Sequence, residues 1–279
     1  MTTTLRPSGP LRYEAADAMS RSYDVCVNGR PVGAVALARD PAAGPSTGVV
    51  RSLLIDDGDR RRGRGTVAAL AAEEVLRGWG CTRIVTVVPA EATAALRLAG
   101  ALCYTESGRT LLKEVPADPP VLPEGVASRP LTEAEFPGWR TGAVERYTRS
   151  WIARGLPEDR ARARSESDHD EKLPDGPATS GVWLRALVAG GTVVGHIWIA
   201  EREMRPGERG AYVYDVQVAE EHRGRGHGRA LLLTAEQVAG AAGASVLALH
   251  VLTGNTPAVA LYASLGYRTT HHHFAKPLL

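Results

Sequence analysis

The stretch HRGRGHGRALL, His222 to Leu232, sets Arg223, Arg225 and Arg229 among Gly224, Gly226 and Gly228 and then turns abruptly apolar. A near-copy, DRRRGRGTVAAL, runs from Asp59 to Leu70. A glycine turn opening a helix leaves backbone N–H groups without intrahelical partners at the positive end of the helix dipole. Glycines let a phosphate approach that backbone closely, and arginines add charge-assisted hydrogen bonds. A pyrophosphate is therefore a natural ligand for Arg223 to Arg229, and a solvated basic turn is the bland alternative.

The two copies belong to a longer repeat. A constant offset of 163 positions holds without gaps from Arg60/Arg223 to Tyr104/Tyr267, and 15 of those 45 pairs are identical. They include Gly63/Gly226, Gly65/Gly228, Glu73/Glu236, Leu98/Leu261 and Tyr104/Tyr267. Shared propensity alone would not keep arginines, glycines and a tyrosine in register over that span, so the halves read as duplicated domains. Between them, KEVPADPPVLPEGVASRPL carries five prolines, which stop helices and disfavour central strands. The expected division is a domain at 1–115, a proline-rich linker at 116–125 and a second domain at 126–279.

Composition sets bounds. A chain of 279 residues can bury two cores. A formal net charge of +2 is too small to suggest a dedicated DNA binder, so any basic site must be local. Cys26, Cys81 and Cys103 are an odd, sparse set without metal-ligand spacing, so neither a disulfide framework nor a zinc site is expected. The run His271-His272-His273 reads as part of a last strand rather than a metal site. No apolar run is long enough to span a membrane, and MTTTLRPSGP lacks a signal-peptide pattern, so a cytoplasmic protein is expected.

The second half reads clearly. RALVAGGTVVGHIWIA predicts a hairpin around Gly190-Gly191, and GAYVYDVQVA a third strand. The basic loop and a helix to about Ala241 follow, then the buried strand SVLALHVL. NTPAVALYASLG predicts a short helix capped near Asn255, and YRTTHHHFAKPL a final strand. Strands alternating with helices imply an α/β class with an α+β type mixed sheet. The loop is not a P-loop, because no G-x-x-x-x-G-K-S/T can be drawn through it, and no acidic residue follows at the dinucleotide-fold spacing.

The order strand YDVQV, loop R-x-x-G-x-G, helix, strand LALHV, then N-x-x-A-x-x-L-Y-x-x-x-G-Y resembles the GCN5-related N-acetyltransferases (GNAT). Arg223, Gly226 and Gly228 match that family's acyl-CoA pyrophosphate motif; Asn255, Ala258, Leu261, Tyr262, Gly266 and Tyr267 match its second signature. The second half is especially similar to the YycN-type branch of small bacterial acetyltransferases, and the layout resembles the tandem GNAT organisation of the mycothiol synthases.

The resemblance implies acyl transfer from acetyl-CoA, or another acyl-CoA, to an amine by direct attack in a ternary complex, with no metal. Pantetheine would bond like an added strand to the backbone around Val216 and Val218, and one of these N–H groups would stabilise the oxyanion. The pyrophosphate cradle would comprise Arg223, Gly224, Arg225, Gly226, His227, Gly228 and Arg229, with Asn255 beside it; capping alone could also explain Asn255. Tyr262 would donate to the departing thiolate, unless it merely packs on its helix face. The base stays open between Asp215, His250 and water. Acidic residues within Leu131 to Thr179, such as Asp168 and Asp170, could attract a cationic acceptor or simply form a solvated face.

Across the offset, Asn255 pairs with Ala92, Tyr262 with Ala99 and Asp215 with Ser52, whereas Arg60, Gly63 and Gly65 keep the phosphate loop. The first half is also short at its front, so its helical acceptor region is expected to be missing. It reads as a degenerate domain able at most to bind CoA. The expected acceptor is a small-molecule amine or a peptide; the protein would be a monomer or homodimer without DNA or membrane partners. The competing readings are a non-catalytic CoA-sensing or partner-binding protein, and an acyltransferase drawing on an acyl-carrier protein or aminoacyl-tRNA, which the net charge does not favour.

Overall fold

The computed structural model of the protein describes residues 2–15, 18–44, 46–205 and 207–278. In chain order the elements are β1 (Thr3–Pro7), β2 (Arg12–Ala15), β3 (Ala18–Val27), β4 (Arg30–Arg39), β5 (Thr47–Ile55), α1 (Arg64–Gly78), β6 (Arg83–Pro89), α2 (Thr93–Ala101) and β7 (Thr105–Glu114). There follow β8 (Val126–Pro130), α3 (Phe136–Ile152), α4 (Glu158–Lys172), β9 (Val182–Ala189), β10 (Thr192–Arg205), β11 (Glu208–Val218), α5 (His227–Ala241), β12 (Val246–Leu252), α6 (Thr256–Ser264) and β13 (Arg268–Pro277). Mixed pairing of these strands with helices between them is the α/β arrangement expected.

Two compact units result. Unit 1 comprises Met1–Gly108 with His271–Leu279, and unit 2 comprises Arg109–Thr270. Compactness therefore divides the molecule differently from chain order, because each half ends in a strand that completes the other half's sheet.

In unit 1 the order is β1-β3-β4-β5-β6-β13, with β2 on β3. The β3–β4 hairpin turns through Asn28 and Gly29, both at positive φ, which matches the right-handed twist of the flanking strands. Helix α1 buries Ala68, Ala72 and Leu76, spaced one turn apart, against this sheet. Ahead of α1 the described residues form strands and short 3-10 turns and no α-helix, as the short front of this half implies.

Unit 2 has the order β7-β12-β11-β10-β9-β8. Its α5 buries Leu231, Leu232, Ala235 and Ala239 in a core with Ile197, Ile199, Leu247 and Leu249. Over β9 and β10 a second cluster joins Trp139 of α3 to Leu184, Ala186 and Trp198. The α3–α4 pair has no counterpart among the described residues of unit 1.

The exchanged strands are fastened in the same way. β13 pairs antiparallel with β6 from His271↔Pro89 to Pro277↔Arg83, and Leu278 N–H donates to Thr82 O at 2.8 Å. In unit 1, Lys276 Nζ lies 2.9 and 2.7 Å from the two carboxylate oxygens of Glu73 on α1. In unit 2, Lys113 Nζ on β7 lies 2.6 Å from Glu236 Oε1 on α5. Both glutamates are buried, and a tyrosine ring flanks each lysine, Tyr104 beside Lys276 and Tyr267 beside Lys113. The lysines are themselves 163 positions apart.

Removing one partner of a buried ion pair strands the other charge and costs about 3–5 kcal/mol, whereas replacing both costs much less. Lys276→Met is expected to destabilise unit 1 by about 3 kcal/mol in chemical denaturation, and adding Glu73→Gln to recover more than half of that. A double variant as unstable as the single one would show that the pair does not act as a unit.

Candidate active site

The site of unit 2 begins where two strands part. β11 and β12 run parallel and pair only from Gly210↔Val246 to Val213↔Leu249. Beyond that point Tyr214 to Val218 have β10 on one side and no β12 partner on the other. The divergence coincides with a bulge: Trp198 is opposite Asp215 and Ile199 opposite Val213, leaving Tyr214 as the extra residue. A bulge bends its strand and re-aims the following backbone. Val216 and Val218 thus lie on an edge with backbone donors and acceptors to offer an extended ligand.

The basic loop follows this edge directly. Gly224 (φ 74°) and Gly226 (φ 82°), the latter the N-cap of α5, adopt left-handed conformations that a side chain would strain. The first N–H groups of α5, at His227, Gly228 and Arg229, lack intrahelical partners. Arg225 is exposed over this turn. Two arginines also have structural work: Arg223 Nε donates to Val218 O at 3.3 Å, folding the loop onto the strand end, and Arg229 Nη2 donates to Ser264 Oγ at 2.7 Å, tying α5 to α6. At Gly228 a Cβ would stand 3.2 Å from Leu261 Cδ2, so this glycine also lets α6 pack closely.

Asn255 caps α6, its Oδ1 accepting from Ala258 N at 3.3 Å. Tyr262 is buried two turns further along α6 in T-shaped contact with Tyr267, ring centroids 5.7 Å apart. Burial, with the Asp215 carboxylate adding to it, pushes the Tyr262 hydroxyl up to about 12, so it is protonated at neutral pH. His250 follows Leu249, the last residue of β12 paired with β11; burial, then the Arg154 charge, lowers its pKa and keeps the imidazole neutral.

Asp215 has a partner that the motifs did not reveal. Arg146 Nη2 of α3 lies 2.6 Å from Asp215 Oδ2, both side chains about a quarter exposed. Around them Trp198 stacks on Tyr214 at 4.9 Å, and His169 lies between Trp198 and Tyr147. These residues come from α3, α4, β10 and β11, and no sequence spacing links them. Of the acidic run, Asp170 pairs with Arg140 and Asp168 with Arg164. The structure therefore brings Asp215, Tyr262, His250, the free edge and the basic loop to one end of unit 2.

Unit 1 repeats the scaffold. β5 and β6 pair from Thr47↔Arg83 to Val50↔Thr86 and then part, with Arg51 as the bulged residue. Arg60 Nε donates to Ile55 O at 2.7 Å, the counterpart of the Arg223 bond, and Gly63 caps α1 at φ 72°. Here carboxylates enter the loop: Asp57 pairs with Arg60, and buried Asp59 pairs with Arg64 and Arg30. Ala92 supplies no side-chain cap to α2, and Ala99 stands where Tyr262 does.

A model of the Acetyltransferase (GNAT) family matches residues 3–102 and 144–267. The uncharacterized N-acetyltransferase YdgE of Bacillus subtilis (strain 168) is 30% identical over 150 residues, 53% of this chain and 95% of that protein. The uncharacterized N-acetyltransferase YycN of the same organism is 30% identical over 152 residues, 53% of this chain and 96% of that protein. Among solved structures, a GCN5-related N-acetyltransferase from Sphaerobacter thermophilus shares the fold with a TM-score of 0.58 at 20% identity, over 92% of this chain and 80% of that one. A tandem GNAT protein from the clavulanic acid biosynthesis pathway does so with a TM-score of 0.55 at 20% identity, over 96% and 85%. With the family matched in both halves over most of its length, this chain belongs to the GNAT acetyltransferase family and carries its domain twice.

Proposed function

We propose that the protein is an acyl-CoA-dependent N-acetyltransferase whose chemistry takes place in unit 2. The observation that carries this reading is the parted β11–β12 edge, with the α5 N-terminus at one side and buried, protonated Tyr262 at the other. In this reading Val216 and Val218 bind the pantetheine arm. The loop from Arg223 to Arg229 receives the pyrophosphate on its backbone N–H groups, with Arg225 and His227 adding charge or donors. Asn255 keeps its helix in place beside the cofactor arm.

The acceptor amine attacks the thioester carbonyl carbon, the C–N bond forms, and the C–S bond breaks with its electron pair leaving on sulfur. A backbone N–H of the free edge stabilises the oxyanion that develops. Tyr262 donates to the departing sulfur. A thiol near about 8.5 is a weaker base than the tyrosinate at 12, so Tyr262 acts by hydrogen bonding to the thiolate rather than by losing its proton outright. The ammonium proton goes to His250, which is neutral and able to accept it. Asp215, already bonded to Arg146, is read as holding α3 over the site and setting its charge.

Unit 1 is read as non-catalytic, because Ala99 and Val87 stand where Tyr262 and His250 do and offer no group for either proton transfer. A thiol-release assay with acetyl-CoA and a panel of primary amines tests the activity itself; no release with any amine would remove the reading. Tyr262→Phe should lower kcat at least tenfold while the acetyl-CoA Kd stays within twofold, and unchanged turnover would take Tyr262 out of the mechanism.

The base assignment has a pH signature. A base must be neutral to accept, so activity is lost as pH falls through its pKa, and a lowered pKa extends activity to more acid pH. The acid limb of kcat/KM is expected below pH 6.5, the ordinary histidine value. His250→Gln should abolish that limb; the same limb in the variant would assign the proton to another acceptor.

A further inference from the structure

Unit 1 contains a cleft of about 540 Å³ between its parted strands, walled by Ser52 to Leu54 of β5 and Val87 to Pro89 of β6 and floored by α2. Its surface is mainly apolar. Leu54 is 63% exposed and Val87 50% exposed, so two large hydrophobic side chains face open space inside a concavity. The floor is open at two positions where unit 2 carries bulk: Ala92 in place of Asn255 and Ala99 in place of Tyr262. The α1 turn, which keeps the backbone of the phosphate loop, comes close to the floor at Gly65, where a Cβ would stand 3.7 Å from Leu98 Cδ2, and Arg61 and Arg62 of this turn are exposed without an ion pair among the described residues.

We propose that this cleft is a second, non-catalytic site for an acyl-CoA whose acyl chain is longer than acetyl. The proposal extends to unit 1 the acyl-CoA mode read for unit 2, and it goes beyond it in ligand and in role. The α1 turn with Arg61 and Arg62 meets the anionic end, and the free β5 edge bonds the amide-rich arm. The acyl chain lies on Leu54 and Val87 and enters the space above Ala99. Loss of the tyrosine thus has a positive consequence: the group that would act on the sulfur is replaced by room for methylenes. Bound there, the thioester meets Ala99 and Val87 where unit 2 carries Tyr262 and His250, and no helical acceptor region precedes α1 among the described residues, so it is held and not consumed. The site would report on the cell's longer acyl-CoA pool through the stability of unit 1, since anything that binds only the folded state stabilises it.

The test is a calorimetric titration of the full chain with CoA, acetyl-, butyryl-, hexanoyl- and octanoyl-CoA, and with free octanoate. Burial of each methylene corresponds to about a fourfold gain in affinity. Affinity at one site per chain should therefore rise steeply from acetyl to hexanoyl. Leu54→Asp, at an exposed position, and Ala99→Tyr, which restores the residue of the paired position, should each abolish the rise. Both should leave acetyl transfer by unit 2 within twofold of the unmodified protein. Affinity independent of chain length, or a rise that survives both substitutions, would overturn the proposal, and octanoate binding as tightly as octanoyl-CoA would overturn its thioester part. A chain-length-dependent site in a protein that transfers to no amine would uphold this inference while removing the function proposed for unit 2.

Discussion

A buried carboxylate without a cation is too costly to keep, and α1 and α5 each carry one. Glu73 of α1 is neutralised by Lys276, and Glu236 of α5 by Lys113. Each lysine arrives on a strand contributed by the other half of the sequence. Each sheet therefore depends on its visiting strand for charge as well as for hydrogen bonds, because a sheet lacking that strand would also lack the cation its helix requires. The register of β13 on β6 then places Phe274 in the cluster with Val88 and Ala99, and β7 places Leu111 in the core of unit 2. Both clefts are built on sheets completed in this way.

The two units show one backbone device put to different chemical ends. In each, a parallel pair holds for four residues, a bulge follows, and the strands part beside a glycine-capped helix. In unit 2 the opening meets a capped α6, a buried phenol and an imidazole kept neutral by burial. In unit 1 it meets alanines, exposed leucine and valine, and a loop whose arginines are partly neutralised by Asp57 and Asp59. The backbone geometry is common to both units, and they differ in the side chains able to donate or accept a proton.

Much of this was legible in the sequence because it is local or repeated. The hairpin turns, the α1 and α5 loops and the Asn255 cap rest on glycine, arginine and asparagine at fixed short spacings, and the constant offset exposed the duplication. The double use of Arg223, Gly228 and Arg229 was not legible, since a side chain's inward bond to Val218, Leu261 or Ser264 depends on how the helices pack. Nor was Arg146, which meets Asp215 across 69 positions and through no motif. The strand exchange left a trace in Glu73/Glu236 and Lys113/Lys276, but matched charges do not say which lysine serves which glutamate.

The exchange also orders events in time. β6 is made early, yet its neighbour β13 lies roughly 180 residues further along the chain. At about 5–20 residues per second, a ribosome leaves the β6 edge unpaired for roughly ten to forty seconds after that edge is synthesised. Unit 1 is the first to be translated and the last to be closed, and the interval leaves one open sheet edge to whatever chaperone attends the nascent chain.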